Sequence, residues 1–150
     1  MHKIIFVCTG NTCRSPMAAA MATDIFKKND LTVEVLSAGV NAWGNQPASS
    51  HALMVMKESG LCLAAHTSTL VYDTLIESAT LILSMTSSHQ AALQSDYPNA
   101  KDKIYTLGEY VGRDNDISDP FGGTLQDYRN CAKEIRELLS QVPDKLKRQA

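Results

Sequence analysis

The chain has 150 residues, 44% of them hydrophobic and 20% charged, with a formal net charge of −2. That length suits one domain, spanning residues 1–150, that buries its core without disulfide or metal staples. The composition excludes collagen-like, coiled-coil and disordered chains, and the missing basic excess speaks against a nucleic-acid partner.

Lys3 to Cys8 is a continuous β-branched and aromatic run, which predicts a strand buried on both faces of a parallel sheet. It stops at the turn cluster Thr9-Gly10-Asn11, and Ser15-Pro16 then predicts a helix start, with Ser as N-cap and Pro at the first helical position. That helix carries Met17, Met21, Ile25 and Phe26 inward and fades near Asn29-Asp30. Thr32 to Ser37 alternates as a second strand ended by Ala38-Gly39, and a polar loop with Trp43 follows.

Ala48 to Ser59 has helical spacing closed by Gly60. His66 to Leu75 is ambiguous and is read as containing a short helix. Thr80 to Met85 reads as the third strand, Ser87 to Ser95 as a helix and Lys103 to Leu107 as the fourth strand. Gly108 to Gly123 is read as a loop too long to be a mere connector. Thr124 to Val142 carries one apolar stripe at helical spacing, and Lys145 to Arg148 reads as a frayed, solvated tail. Strands alternating with helices predict a doubly wound α/β domain with a parallel sheet, whose ligands bind beyond the strands' carboxyl ends.

No apolar stretch is long enough to span a bilayer, and Ile4 to Val7 is too brief for a signal peptide. The expectation is a cytoplasmic protein with no membrane partner. Cys8, Cys13, Cys62 and Cys131 are then expected to be reduced, with any conspicuous one catalytic or redox-active. No Cys-x-x-Cys pair exists and His2, His51, His66 and His89 are scattered, so no metal site is expected.

The conspicuous cysteine is Cys8. The run Cys8-Thr9-Gly10-Asn11-Thr12-Cys13-Arg14-Ser15 lies between a strand end and a helix N-terminus, where free N–H groups and the helix dipole favour an anion. Gly10 and Asn11 tolerate the backbone angles that curl a loop around a tetrahedral oxyanion. Arg14 offers a two-pronged donor for two phosphoryl oxygens, and the same positive surroundings favour a nucleophilic thiolate at Cys8. Ser15 can donate its hydroxyl to that thiolate. A buried structural cysteine before an ordinary turn is the competing account, and it leaves the Cys-to-Arg spacing and the Ser-Pro unexplained. Attack on phosphorus also needs an acid for the departing group; Asp119-Pro120 is the best placed, with Asp114 and Asp116 close rivals.

Val7 to Pro16 resembles the signature of the low-molecular-weight protein tyrosine phosphatases, and the resemblance continues through Ser37-Ala38-Gly39, His66, Ile82 to Met85 and Asp119-Pro120. It implies a four-stranded parallel sheet flanked by helices on both faces. It further implies phosphate held by the first loop (Thr9, Gly10, Asn11, Thr12, Cys13, Arg14, Ser15), no cofactor and no metal. It assigns Asp119 as general acid, a phosphocysteine at Cys8, and Asn11 as the support of a strained loop helped by Ser37 and His66. Cys13 matches the position that forms a reversible disulfide with Cys8, while Cys62 and Cys131 read as small core residues.

Within the family the chain is most similar to the bacterial arginine-specific branch. Thr12 stands where tyrosine-specific members often carry an aliphatic residue, and Phe121 where many carry Tyr. A hydroxyl at Thr12 can contact a guanidinium that an extra branch would crowd. Trp43 could stack on a phenyl ring or a guanidinium, so it does not discriminate. The expected substrates are phosphorylated proteins, phosphoarginine before phosphotyrosine, and the expected state is a monomer. A thiol-dependent arsenate reductase shares fold and loop type but needs further cysteines, absent between Thr80 and Gln90. A non-catalytic phosphoresidue-binding module would need neither thiolate nor acid.

Overall fold

The computed structural model describes residues 2–149. Its elements run β1 (His2–Cys8), α1 (Arg14–Lys28), β2 (Val33–Gly39), α2 (Ser50–Glu58), α3 (Asp73–Ser78), β3 (Leu81–Ser84) and α4 (Ser87–Asp96). A 3₁₀ turn (Pro98–Lys103), β4 (Ile104–Thr106), α5 (Leu107–Tyr110), α6 (Leu125–Leu139) and α7 (Val142–Gln149) complete the chain. The sheet is wholly parallel in the order β2-β1-β3-β4.

The unbroken apolar run of β1 is explained by burial on both sides. Ile4 and Phe6 enter the core shared with Met17, Met21 and Phe26 of α1 and with Ile135 and Leu139 of α6. Ile5 and Val7 enter the opposite core with Leu75, Ile76, Leu93 and Ile104. Each such side chain contributes about 1.5–3 kcal/mol by leaving water. The chain leaves β1 towards β2 on one side and later returns to β3 on the other. The crevice beyond Cys8 is therefore the topological switch point.

Several boundaries differ from the sequence expectations. Helix α1 begins at Arg14 with Cys13 as its cap residue and no side-chain cap bond, so Ser15 is its second residue and Pro16 its third. Pro remains tolerable there, because the first-turn N–H groups have no intrahelical acceptor. The freed Ser15 hydroxyl turns into the site described below. Helix α2 starts at Ser50, capped by Ser49, whose Oγ accepts from Ala52 N–H; Gly60 closes it at φ +76°. The short helix of the ambiguous stretch lies later, at Asp73–Ser78.

The long loop opens with a helical turn, α5, whose cap residue Thr106 accepts from Glu109 N–H. The last predicted helix stops earlier, at Leu139, and a further helix, α7, follows from Val142, with Pro143 in its first turn, where a missing N–H costs no intrahelical bond. The basic tail is consequently no frayed end. Leu146 is buried, and Lys145 donates to the Tyr110 carbonyl at 2.7 Å while its Nζ stands 4.5 Å from the Tyr110 ring centroid. Cys131 is a core residue as expected, whereas Cys62 is exposed on the segment after Gly60. Among the described residues no helix is long and apolar enough to cross a membrane, and no group of three or more His, Cys, Asp or Glu could hold a metal ion.

Candidate active site

The loop between Cys8 and Arg14 is shaped by one residue in the left-handed region. That residue is Asn11, at φ +57°, and not Gly10. Asparagine tolerates this conformation better than most side chains, and it is fully buried here. Its amide Nδ2 donates to Ser15 Oγ at 2.7 Å and to Ser37 Oγ at 3.0 Å, while Oδ1 accepts from Thr69 N–H at 2.9 Å. His66 Nε2 donates to the Asn11 carbonyl at 2.7 Å. The cost of the backbone angle, about 1–3 kcal/mol, is offset by these four bonds, each of about 0.5–1.5 kcal/mol. The protein's own hydrogen bonds thereby fix the loop's curl at Asn11.

Ser15 links that network to Cys8. Its oxygen accepts from Asn11, which leaves one proton to donate, and Cys8 Sγ lies 2.9 Å away against 3.4 Å for the Ala38 carbonyl. The hydroxyl can therefore stabilise sulfur as a thiolate and as a leaving group. Cys8 ends β1, Arg14 begins α1, and both line the same cavity.

Arg14 is 4% exposed, a degree of burial that for arginine requires partners. Its Nη1 donates to the Ile117 carbonyl at 2.7 Å, and its Nη2 stands 3.7 Å from Asp119 Oδ2. Asp119 is half-exposed, and its other oxygen accepts from Phe121 N–H at 3.0 Å. The segment before it is pinned: Asp116 accepts from Ser87 N–H at 2.8 Å and from Ser87 Oγ at 3.1 Å, and Ile117 N–H donates to the Met85 carbonyl. Asp116 is thus engaged as an anchor, and Asp114 is not part of the cavity wall. Of the three rival acids, Asp119 alone lines the cavity over Cys8.

That cavity, about 210 Å³, is lined by Cys8, Thr9, Gly10, Thr12, Cys13, Arg14, Asp119 and Phe121. Ser37 and His66 act on it through Asn11. Asn11 and Ser15 themselves lie behind its wall. Trp43 does not join the lining: it is 81% exposed on the β2–α2 loop, and its carbonyl accepts from Ser68 Oγ. The substrate-pocket expectation for Trp43 is corrected accordingly, because the loop turns the ring outward while its backbone, at Trp43, Asn45 and Gln46, is tied to Ser68. Phe121, also exposed, stands at the rim.

Cys8 and Cys13 are both free thiols with different neighbours. Cys13 Sγ lies 3.3 Å from the Tyr128 hydroxyl and 3.5 Å from Ser49 Oγ. Burial and the Cys13 contact push the Tyr128 hydroxyl up to about 12, so it stays a neutral partner. Burial likewise pushes the Cys131 thiol up to about 12, which suits an inert core residue.

Two participants escaped sequence reasoning. Tyr128 falls at helical spacing within the apolar stripe of Thr124 to Val142, and nothing in that stripe announces its hydroxyl. His89, in α4, places Nε2 2.7 Å from Thr9 Oγ1. Its only sequence signal was a polar aromatic near the carboxyl end of a predicted strand.

The description of the family model that matches residues 3–150 is "Low molecular weight phosphotyrosine protein phosphatase". The chain is 47% identical to the protein-arginine-phosphatase of Geobacillus stearothermophilus over 97% of its own length and 96% of that protein's. It is 32% identical to the low molecular weight protein-tyrosine-phosphatase PtpB of Staphylococcus aureus, over 95% of its length and 97% of that protein's. Among solved structures it is similar to the YwlE arginine phosphatase in a Cys-to-Ser mutant form with a phosphorylated active-site serine, with a TM-score of 0.94 and 44% identity, covering 97% of this chain and 95% of that one. The fold, the loop at the switch point and these matches agree: the chain belongs to the low molecular weight phosphotyrosine protein phosphatase family, and it is a cysteine-dependent phosphatase.

Proposed function

We propose that this phosphatase removes the phosphoryl group from phosphoarginine side chains of proteins. Cys8 attacks phosphorus as a thiolate and forms a phosphocysteine, while the N–P bond breaks and its electron pair leaves with the guanidino nitrogen. Asp119 supplies the proton that this nitrogen takes up. Arg14 and the loop N–H groups hold the equatorial oxygens, where negative charge concentrates in the transition state. Water activated by the Asp119 carboxylate then attacks phosphorus, and Cys8 leaves as a thiolate stabilised by the Ser15 hydroxyl.

The observation that carries the choice of substrate is Thr12. Its side chain is on the cavity wall with Phe121 at the rim, and a short branch with a hydroxyl leaves room and an acceptor for a guanidinium. The relatives from Geobacillus stearothermophilus and Bacillus subtilis, at 47% and 44% identity, both carry the name protein-arginine-phosphatase, which supports the same reading. The enzyme is taken to work as a monomer on phosphoproteins in the cytoplasm, where a reducing environment preserves a nucleophilic thiol.

The deciding measurement is kcat/KM on matched phosphoarginine and phosphotyrosine peptides, for wild type and Thr12→Ile. Phosphoarginine should be preferred by wild type, and Thr12→Ile should move the ratio towards phosphotyrosine by about tenfold or more. A wild-type preference for phosphotyrosine, or a ratio unmoved by Thr12→Ile, would overturn the assignment in favour of phosphotyrosine.

A further inference from the structure

His89 reaches the phosphate loop from the opposite side of the switch point. It is the third residue of α4, the helix that follows β3, and its own N–H donates to Thr86 Oγ1 at 3.2 Å. The ring is 6% exposed, and Nε2 makes one contact, 2.7 Å to Thr9 Oγ1. Nδ1 is buried with no hydrogen-bond partner among the described residues. Thr9 directly follows Cys8 and lines the cavity with Arg14.

This arrangement selects one tautomer. A neutral imidazole has one N–H and one bare nitrogen. With the proton on Nδ1, a buried N–H would have no acceptor, the arrangement folded proteins avoid most strictly. With the proton on Nε2, the orphan is a bare lone pair, which costs less. Burial, helped by the Arg14 guanidinium, outweighs the pull of the Asp119 and Asp116 carboxylates and pushes His89 down to about 4, so the ring is neutral in the ordinary working range.

In that tautomer Nε2–H donates to Thr9 Oγ1, and the Thr9 hydroxyl cannot donate back. Its single proton is turned away from His89, on an exposed residue that lines the cavity. We propose that His89 is a positioning residue that directs the Thr9 hydroxyl proton into the cavity, making Thr9 a side-chain donor to a phosphoryl oxygen. The inference rests on the phosphatase reading. It adds a donor to those of Arg14 and the loop backbone, and that donor acts only if a neighbour saturates the hydroxyl's acceptor side. Without His89 the same hydroxyl could spend its proton elsewhere on the rim.

The test is tungstate binding by titration calorimetry, with p-nitrophenyl phosphate turnover in parallel, on the full chain carrying Thr9→Val, His89→Leu, His89→Gln or both Thr9→Val and His89→Leu. Thr9→Val and His89→Leu should each weaken tungstate by about tenfold, the size of one hydrogen bond to an anion. The double variant should be no weaker than either single one. His89→Gln, which restores a donor at similar reach, should recover binding to within about threefold of wild type. Nitrogen NMR of labelled wild type should show the proton on Nε2.

Unchanged binding in Thr9→Val, additive losses in the double variant, a glutamine no better than leucine, or a proton on Nδ1 would each overturn the proposal. Should His89→Leu fail to fold, Thr9→Val at its exposed position, His89→Gln and the NMR result still decide. Wild-type turnover that survives all these outcomes leaves the phosphatase reading standing by itself.

Discussion

Arg14 Nη1 donates to the Ile117 carbonyl at 2.7 Å, so the guanidinium that faces the phosphate cavity also fastens the segment two residues before Asp119. One side chain thereby ties the wall of the cavity to the segment that carries Asp119, the proposed acid. Arg14→Lys keeps the charge but cannot hold a phosphoryl oxygen and the Ile117 carbonyl with one planar fork. A loss in kcat/KM of about a hundredfold or more is expected with p-nitrophenyl phosphate. A loss under about threefold would show that charge alone suffices.

Asp119→Asn removes the proposed proton donor while keeping the side chain's size. Substrates with poor leaving groups should lose the most, by about 10²–10⁴ in kcat, and activated aryl phosphates the least. Equal losses across a leaving-group series would count against Asp119 as the acid.

Asn11 contributes both an unusual backbone angle and a bonded side chain, and two substitutions separate them. Asn11→Gly keeps φ +57° accessible but deletes the bonds to Ser15, Ser37 and Thr69. A loss of about 2–4 kcal/mol in urea unfolding is expected. Asn11→Ala should cost about 1 kcal/mol more, from the Cβ in the left-handed region. Equal stability of the two variants would show that the angle itself is not strained.

Gly39 ends β2 where the chain crosses beneath the loop. A Cβ there would collide with the Thr9 carbonyl, meet the Ala42 Cβ at 2.9 Å and the Asn11 nitrogen at 3.1 Å. Two of these are backbone atoms and cannot swing aside. Gly39→Ala should destabilise the protein by about 1–3 kcal/mol and weaken phosphate binding, as read by thermal unfolding with and without phosphate. Unaltered phosphate stabilisation would show that the loop does not rest on this close approach.

His89 gives stability a dependence on pH. Its value lies near 4 in the folded protein against 6.5 ordinarily. Between these values the unfolded chain binds a proton that the folded chain refuses. Stability should therefore fall as pH drops from 6.5 towards 4, by at most about 3 kcal/mol, and this contribution is fully present above 6.5. His89→Gln should flatten that part of the profile in denaturant titrations. Parallel profiles would rule out a buried neutral His89.

The sequence by itself determined the chemistry. A strand ending in Cys8, a loop with Asn11, and Arg14 just before the predicted helix start lie within eight consecutive residues, and that local arrangement is what points to an anion. The layered fold was legible for a similar reason, since the apolar run of β1 needs two cores and the helical stripes supply them.

Tertiary structure decided whatever depends on residues distant in the chain. It placed Asp119, the acid the resemblance assigns, on the cavity wall and engaged Asp116 with Ser87, a pairing of α4 with a loop 29 residues away. It turned Trp43 outward, made the basic tail a helix and folded that helix against Tyr110. It also brought His89 to Thr9, 80 residues apart. Hydrophobic periodicity reports which faces are buried, not which polar atoms meet there, and that is why the helpers of Cys8 had to be found in three dimensions.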